Sequence, residues 1–207
     1  MIEKKEIVLE GDFEKVVKIK EHYYLESKKH KVVILPYAIS SSGVLDKVGV
    51  VKDYNYINEE YDYTLINGYI NKDDGTNLVA ANRVLYESIG LNVTNATDWM
   101  YLGSLYNTLT SDSAIDLYSV NLTDKPIKET EEVQENQEKI RFKMIDSSLV
   151  VTSDDTLLLA SYLRLFNYFY VNSLSTEKPA DEYVSLQDKY MKRQKTDITT
   201  DLKPIHV

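Results

Sequence analysis

GYINKDDGTNLVAANRVLYESIGL, residues 68–91, runs from the end of a strand through a polar turn into a short helix. The KDDG cluster at residues 72–75 is typical of a turn, and Thr76 or Asn77 can cap the helix that follows. Apolar side chains then recur at helical spacing, namely Leu78, Val79, Ala81, Leu85 and Ile89. Gly90 is typical of a helix end. The sequence therefore predicts a strand, a turn and an amphipathic helix in direct succession.

The spacing of this segment resembles the signature of the Nudix family, G-x5-E-x7-R-E-U-x-E-E-x-G-U, in which U is a bulky aliphatic residue. When the two are aligned on the final glycine and aliphatic residue, five of the nine specified positions match. The matching residues are Arg83, Leu85, Glu87, Gly90 and Leu91. These positions mainly shape the loop, helix and second loop, so the resemblance implies a Nudix-like fold.

The positions that differ include most of the family's metal-binding glutamates. The signature glycine falls on Tyr69, with Gly68 one position early, and the first glutamate falls on Gly75. Two further glutamates fall on Val84 and Ser88. The resemblance implies enzymes that hold Mg²⁺ on helix carboxylates to cleave a diphosphate, and Mg²⁺ prefers hard oxygen ligands. Valine offers no such ligand and serine offers no charge, so we expect no catalytic residue, no metal and no cofactor here.

Arg83 and Glu87 are four residues apart and therefore share one helix face. Such a pair contributes about 0.2–0.5 kcal/mol when it is a helix-surface ion pair, which is the interpretation we prefer. If the protein is an enzyme after all, Glu87 is the candidate catalytic residue and Arg83 orients it. Acids outside the signature would then complete a Mg²⁺ site, the candidates being Asp73, Asp74, Asp112 and Asp116.

The order of elements predicts an α/β (α+β) fold in which a mixed β-sheet is sandwiched by helices. Strands are expected before the signature at Lys31–Ile39 and 44–54, and after it at 100–109 and 114–122. This order matches the Nudix family over residues 14–175, and we assign residues 1–175 to one domain. Within it, the charged residues 123–143 are expected to be an exposed insertion.

A second helix is predicted over residues 154–171, with Ser153 as its cap and Asp154 and Asp155 in its first turn. Its body, TLLLASYLRLFNYFYV, is apolar around most of its circumference, which predicts burial on several sides. In a single domain this helix would pack against the sheet. In an assembly it could also carry a subunit interface.

The C-terminal extension, residues 176–207, is expected to contact a partner. Residues 176–179 are typical of a linker, and residues 180–195 can form an amphipathic helix with Tyr183, Leu186 and Tyr190 on one side. Residues 196–207 are expected to be extended. We predict other protein subunits as partners, as a homo-oligomer or a hetero-complex built through this segment.

Composition narrows the classes of function. The net charge of −9, from 24 basic and 33 acidic residues, argues against nucleic acid as a partner, because phosphate binding needs a basic face. The chain contains no cysteine and no apolar run of membrane-spanning length. Its charged N-terminus has no signal-peptide core, so an intracellular location is expected. Tyrosine occurs 17 times against 4 phenylalanines, which suits surfaces that become buried on association.

Three functions remain as hypotheses. The first is a non-catalytic Nudix-fold assembly protein, specifically a phage virion component of a ring, neck or tail, since the composition resembles that of proteins from AT-rich bacteria and their tailed phages. The second is a Nudix hydrolase of nucleoside diphosphate derivatives that binds Mg²⁺ through displaced ligands. The third is a nucleotide-sensing domain that binds without turnover.

Overall fold

The computed structural model describes residues 5–12, 14–27, 29–55, 59–106, 114–127 and 141–174. These residues form two β-sheets and two α-helices. The strands are β1 (Lys5–Glu10), β2 (Glu14–Ile19), β3 (His22–Ser27), β4 (Lys31–Ile39), β5 (Leu45–Asn55), β6 (Glu60–Thr64), β7 (Ile66–Tyr69), β8 (Trp99–Tyr106), β9 (Ala114–Asn121) and β10 (Arg141–Asp146). The helices are α1 (Asn77–Ile89) and α2 (Thr156–Leu174).

The larger sheet is mixed. Its strand order is β10-β5-β4-β9-β8, with β6 paired to β5 and β7 paired to β4. The pairing of β4 with β9 is parallel, and the other pairings in this sheet are antiparallel. The smaller sheet contains β1, β2 and β3 as an antiparallel meander.

Strand β4 lies at the centre of the larger sheet and changes partner along one edge. Residues 31–34 pair with β7, and residues 37–39 pair with β5. Pro36 lies between these two pairings, so its missing amide hydrogen interrupts neither ladder. This split brings β7 beside β4, and the chain leaves β7 directly into the turn that precedes α1.

The sheet separates two hydrophobic cores. Successive side chains of a strand point to opposite faces, and in β4 Val32 and Ile34 pack in the core under α1, whereas Val33 and Leu35 pack in the core under α2. The mixed sheet is therefore covered by one helix on each face. This confirms the predicted fold class.

Helix α1 packs closely against the sheet because its inward face contains small residues. Ala80 and Ala81 are fully buried, and Leu78 and Leu85 flank them. Val79, which the sequence places in the apolar stripe, is only half-buried. Thr76 caps the helix by accepting a hydrogen bond from the Val79 amide at 3.2 Å, as predicted.

Helix α2 is tied to the sheet through one face. Leu158, Tyr162 and Leu165 are buried, and the Arg164 guanidinium donates to the Leu102 carbonyl at 2.9 Å. That carbonyl lies where β8 departs from regular register, next to Gly103 at φ +96°. The prediction that α2 is buried on several sides is wrong for the described chain, because a second apolar face of the helix stays exposed.

Several elements agree with the sequence-based boundaries and others were missed. Strand β4 has the predicted limits, and β5, β8, β9, α1 and α2 lie within a few residues of theirs. The smaller sheet was not predicted, since charged residues interrupt the apolar positions of its strands.

Neither α1 nor α2 combines the length and the apolarity needed to cross a lipid bilayer.

The predicted charged insertion is corrected at its C-terminal end. Residues 141–143 belong to β10, and Phe142 is buried in the core under α1 because β10 pairs with β5 at the edge of the sheet. Residues 128–140 of the insertion lie outside the described residues, as does the C-terminal extension 176–207.

Candidate functional site

The turn between β7 and α1 is closed by a carboxylate. Asp74 is buried, and its Oδ2 accepts a hydrogen bond from the Asn71 amide at 2.6 Å. Gly75 follows with φ +72°, a conformation that side chains with a Cβ rarely adopt. The helix then begins at Asn77 and is capped at its C-terminal end by Gly90. Gly90 has a left-handed φ of +72°, and its amide donates a hydrogen bond to the Tyr86 carbonyl.

Arg83 is the centre of the site. Its Nε donates to Asp74 Oδ1 at 2.7 Å and its Nη2 donates to Asp74 Oδ2 at 2.8 Å. The same Nη2 donates to the Tyr69 carbonyl at 2.8 Å, and Nη1 donates to Glu87 Oε2 at 2.9 Å. Arg83 therefore joins the end of β7, the turn and the second half of α1 in one hydrogen-bonded network.

The charges in this network stabilise one another. Burial alone would raise the pKa of Asp74, but the Arg83 hydrogen bonds, the Asn71 amide and the Arg83 charge together lower it below its ordinary value. The hydrogen bonds from Arg83 to Asp74, with a further one to Glu87, raise the pKa of the Arg83 guanidinium despite its partial burial. Both groups are therefore ionised at neutral pH. The two hydrogen bonds from Arg83 to Asp74 make the ion pair bidentate.

The sequence-based alignment places the first signature glutamate on Gly75, and the carboxylate that Arg83 holds in the structure belongs to the preceding residue, Asp74. Counted from Gly68 instead of Tyr69, Asp74 has the G-x5-E spacing with aspartate in place of glutamate. The turn then contains one more residue before Arg83 than the family pattern allows. Anchoring the alignment on Gly68 would place Asp74, already a candidate acid, at the first glutamate position of the signature.

Gly68 has a packing role of its own. A Cβ at this position would lie 2.6 Å from one Val84 methyl group and 3.0 Å from the other. Val84 is buried in the core under α1, so the residue that replaces a signature glutamate fills the contact between α1 and β7. The Val84 side chain therefore faces the protein interior.

Glu87 and Ser88 occupy the positions of the two adjacent glutamates of the signature. The Glu87 side chain is 57% exposed and contacts Arg83, as the i, i+4 spacing predicts. Ser88 is half-buried. The sequence therefore identified the pair correctly, but it missed that Arg83 is shared with a buried acid nine residues earlier.

A second polar cluster surrounds Asp116 on β9, near the start of α1. Asp116 Oδ2 accepts from Asn77 Nδ2 at 2.6 Å, and Oδ1 accepts from the Tyr101 hydroxyl at 3.0 Å and from Ser104 Oγ at 2.5 Å. Both oxygens are thus satisfied by neutral donors. Asp116 ties α1 to β8 and β9, a structural role that its position on a strand did not reveal.

Two further acids were considered as metal ligands. Asp73 is exposed in the turn, and Asp112 lies outside the described residues. Within the described part of the chain, no group of three or more histidine, aspartate or glutamate side chains is placed to hold a metal ion. The donor set in this part of the molecule therefore does not fit Mg²⁺.

Comparison with known proteins places the fold. No protein-family model and no curated protein matches the chain. Similar solved structures include an ADP compounds hydrolase, with a TM-score of 0.55, 12% identity, and coverage of 82% of this chain and 93% of that chain. They also include the NUDIX domain of Shewanella oneidensis NrtR complexed with ADP ribose, with a TM-score of 0.47, 16% identity, and coverage of 67% of this chain and 87% of that chain. A third is the C. elegans Ap4A hydrolase, with a TM-score of 0.46, 14% identity, and coverage of 69% of this chain and 98% of that chain. At these identities the likeness concerns the fold alone.

Proposed function

We propose that this chain, which has a Nudix-like fold, is a non-catalytic domain that works through contacts with other proteins. The observation that carries the proposal is the Arg83 network, which engages both oxygens of Asp74 and one oxygen of Glu87. These two acids lie at or beside signature positions. In this arrangement they hold the turn and α1 together.

The charge of the network supports the proposal. Asp74 and Glu87 supply two negative charges, and Arg83 places a positive charge within hydrogen-bond distance of both. Mg²⁺ is usually held by carboxylates together with substrate phosphates. A guanidinium bonded to the same carboxylates repels a divalent cation and takes up part of their capacity to accept ligands.

The packing of α1 supports it as well. Val84 lies against Gly68 in the core. Residues four apart on a helix share a face, and on the face of positions 84 and 88 one position is buried apolar packing and the other is a hydroxyl. A carboxylate cluster is therefore missing from the part of α1 where the family signature expects it.

Exposed tyrosines on β6 support contact with protein. Tyr61 and Tyr63 are exposed, and Tyr61 packs edge-on against Tyr54, with ring centroids 5.1 Å apart, and under the Lys52 ammonium at 5.3 Å. Tyrosine combines a large apolar ring with a polar hydroxyl, which suits a surface that becomes buried on association. We propose other subunits, identical or different, as the partners.

The narrower expectation of a virion ring, neck or tail component has no support in the fold. It depends on composition and on residues 176–207, which lie outside the described residues. It therefore stays a prediction, as does the expected intracellular location. The hypothesis of nucleotide sensing without turnover also stays a prediction.

A Mg²⁺-dependent hydrolase is the second candidate, and the fold likeness favours it. The similar structure with the TM-score of 0.55 is described as a hydrolase of ADP compounds. Under this candidate, Glu87 and acids outside the signature would act on a nucleoside diphosphate derivative. The described donor set does not fit the metal, so we assign no step to these residues.

An activity assay separates the two candidates. The full chain would be incubated with Mg²⁺ or Mn²⁺ and a panel of nucleoside diphosphate derivatives that includes ADP-ribose and diadenosine tetraphosphate. We expect no turnover above the rate without protein. Turnover by the full chain that disappears in Glu87→Gln, with the fold retained by circular dichroism, would replace our proposal with the hydrolase.

A separate measurement addresses association. Light scattering of the full chain over a range of concentrations is expected to report an oligomer that Tyr61→Ser together with Tyr63→Ser weakens. The matched control is Tyr106→Ser, an exposed tyrosine at the end of β8. A chain that is monomeric at every concentration would remove the homo-oligomer from the proposal and leave only a different protein as partner.

A further inference from the structure

Helix α2 has a second apolar face, which we call the α2 stripe and which consists of Leu159, Leu163 and Phe166. At 100° per residue these three side chains lie within about 60° of one another around the helix. Leu159 is half-buried, whereas Leu163 and Phe166 are 57% and 46% exposed. The Phe166 ring lies against the buried Tyr162 ring, with centroids 6.0 Å apart. The α2 stripe is therefore continuous with the core under α2.

We propose that the α2 stripe binds the α2 stripe of a second copy of this chain, with the two helices antiparallel about a two-fold axis. When the axis lies between Leu163 and Phe166, Leu163 of one copy meets Phe166 of the other, and symmetry repeats the contact. The inference rests on the proposed function only in that the chain associates with protein. It goes further by naming one partner and a surface separate from the tyrosines of β6.

The distribution of charge selects a second copy as the occupant. The net charge of the chain is −9, so two copies repel one another wherever their acidic surfaces meet. Arg164 is the only charged residue of α2, and its guanidinium is directed to the chain's own sheet, where it donates to the Leu102 carbonyl at 2.9 Å. The α2 stripe therefore lets two copies approach without placing like charges together.

The acids at the start of α2 select the antiparallel direction. Asp154 and Asp155 precede the helix, and Asp155 accepts hydrogen bonds from the amides of Leu157 and Leu158. Parallel helices would bring these acids of the two copies side by side, which is unfavourable for like charges. In the antiparallel register the two Asp155 residues lie about 28 Å apart along the helix axes. That separation exceeds the screening length of about 8 Å at physiological salt.

The 3₁₀ turn Ser147–Thr152 adds apolar surface on the same side of the sheet. Leu149 and Val151 are 55% and 61% exposed, and they flank Val150, which is buried in the core under α2. The largest apolar patch on a monomer typically covers about 300–600 Å², so two copies that each contribute such a patch bury about 600–1,200 Å². Stable interfaces bury about 1,200 Å² or more. We therefore expect a weak dimer that dissociates on dilution.

Cross-linking through a single cysteine tests the contact, because the protein has no native cysteine. Phe166→Cys in the full chain would be treated with a short bismaleimide over a range of protein concentrations. The matched control is Tyr168→Cys, since Tyr168 is 39% exposed on the same helix but lies about 140° or more away from the α2 stripe. We expect a covalent dimer at a yield at least about fivefold above the control, because docking raises the local concentration of the two thiols. The yield should fall on dilution.

A charge placed beside the two-fold axis is the second test. Leu163→Glu would bring a carboxylate of each copy to the same uncharged contact, so we expect the dissociation constant from sedimentation equilibrium to rise at least about tenfold. Tyr168→Glu adds the same charge to another side of the helix and is expected to keep the parent's dissociation constant.

Two outcomes overturn the inference. The first is equal cross-linking of Phe166→Cys and Tyr168→Cys at every concentration. The second is a Phe166→Cys thiol that stays unreactive while the chain is monomeric, since another part of the chain would then cover the stripe. If Phe166→Cys fails to fold, Leu163→Cys tests the same contact. Failure here leaves the β6 tyrosines and the proposed function in place, whereas turnover in the activity assay would remove the proposed function without affecting this cross-link.

Discussion

Arg83 holds the carboxylate of Asp74 with two parallel hydrogen bonds, of 2.7 Å from Nε and 2.8 Å from Nη2. The pair is nine residues apart and joins the turn to the middle of α1. A bidentate pair of this kind fixes orientation as well as distance. The same guanidinium also reaches the backbone of β7 and the side chain of Glu87. Arg83, which matches the arginine of the family signature, therefore joins the turn, the strand and the helix in this chain.

Asp74→Asn is expected to lower the free energy of unfolding by about 1.5–3 kcal/mol, the range for hydrogen bonds to charged groups. The amide would leave the half-buried Arg83 without its principal counter-charge. Denaturant unfolding measures the change. Asp73→Asn, at the exposed neighbouring acid, is the control and is expected to stay within about 0.5 kcal/mol of the parent. Equal effects of the two substitutions would contradict the assigned role.

The difference in stability between the parent and Asp74→Asn is expected to depend on pH. The pKa of Asp74 is lowered in the folded state, so its contribution is fully present above the unfolded value of 3.8 and is lost as pH falls through the folded value. The difference should therefore be constant between pH 7 and pH 5 and should shrink below pH 3.8. Unfolding curves at pH 7, 5 and 3 test this, and a difference that grows toward pH 3 would show that the sign is wrong.

Gly68→Ala is expected to destabilise the fold by about 1–3 kcal/mol, the range for overpacking a core. The new Cβ would lie 2.6 Å from a Val84 methyl group. Val84→Ala should remove part of that clash, so the double variant Gly68→Ala with Val84→Ala is expected to be more stable than the sum of the single effects predicts. Strict additivity would mean that the two residues do not compete for the same space.

Glu87→Gln is expected to change the free energy of unfolding by no more than about 0.5 kcal/mol, because the side chain is exposed and its pair with Arg83 is a helix-surface contact. We also expect 10 mM Mg²⁺ to shift the melting temperature of the parent and of Glu87→Gln equally, because the proposal places no metal site at Glu87. Thermal denaturation with and without the metal measures both quantities. A stabilisation by Mg²⁺ that only the parent shows would locate a metal site at Glu87.

The sequence by itself determined the local units. The KDDG turn, the threonine cap and the terminal glycine fixed α1 to within a residue, because these signals depend on backbone conformation close to the residue concerned. Apolar runs similarly placed the central strands. The order of these units, together with the family signature, was enough to predict a sheet covered by a helix on each face.

Only the tertiary structure decided which side chains meet. The pairing of Asp74 with Arg83 required the turn to fold back on α1, and the contact of Gly68 with Val84 required β7 to lie under that helix. The exposure of Leu163 and Phe166 could not be derived from composition. When a helix is apolar around most of its circumference, its sequence does not show which face will pack against the sheet. Contacts between residues far apart in the chain depend on how elements pack, and packing is a property of the whole molecule that no local pattern contains.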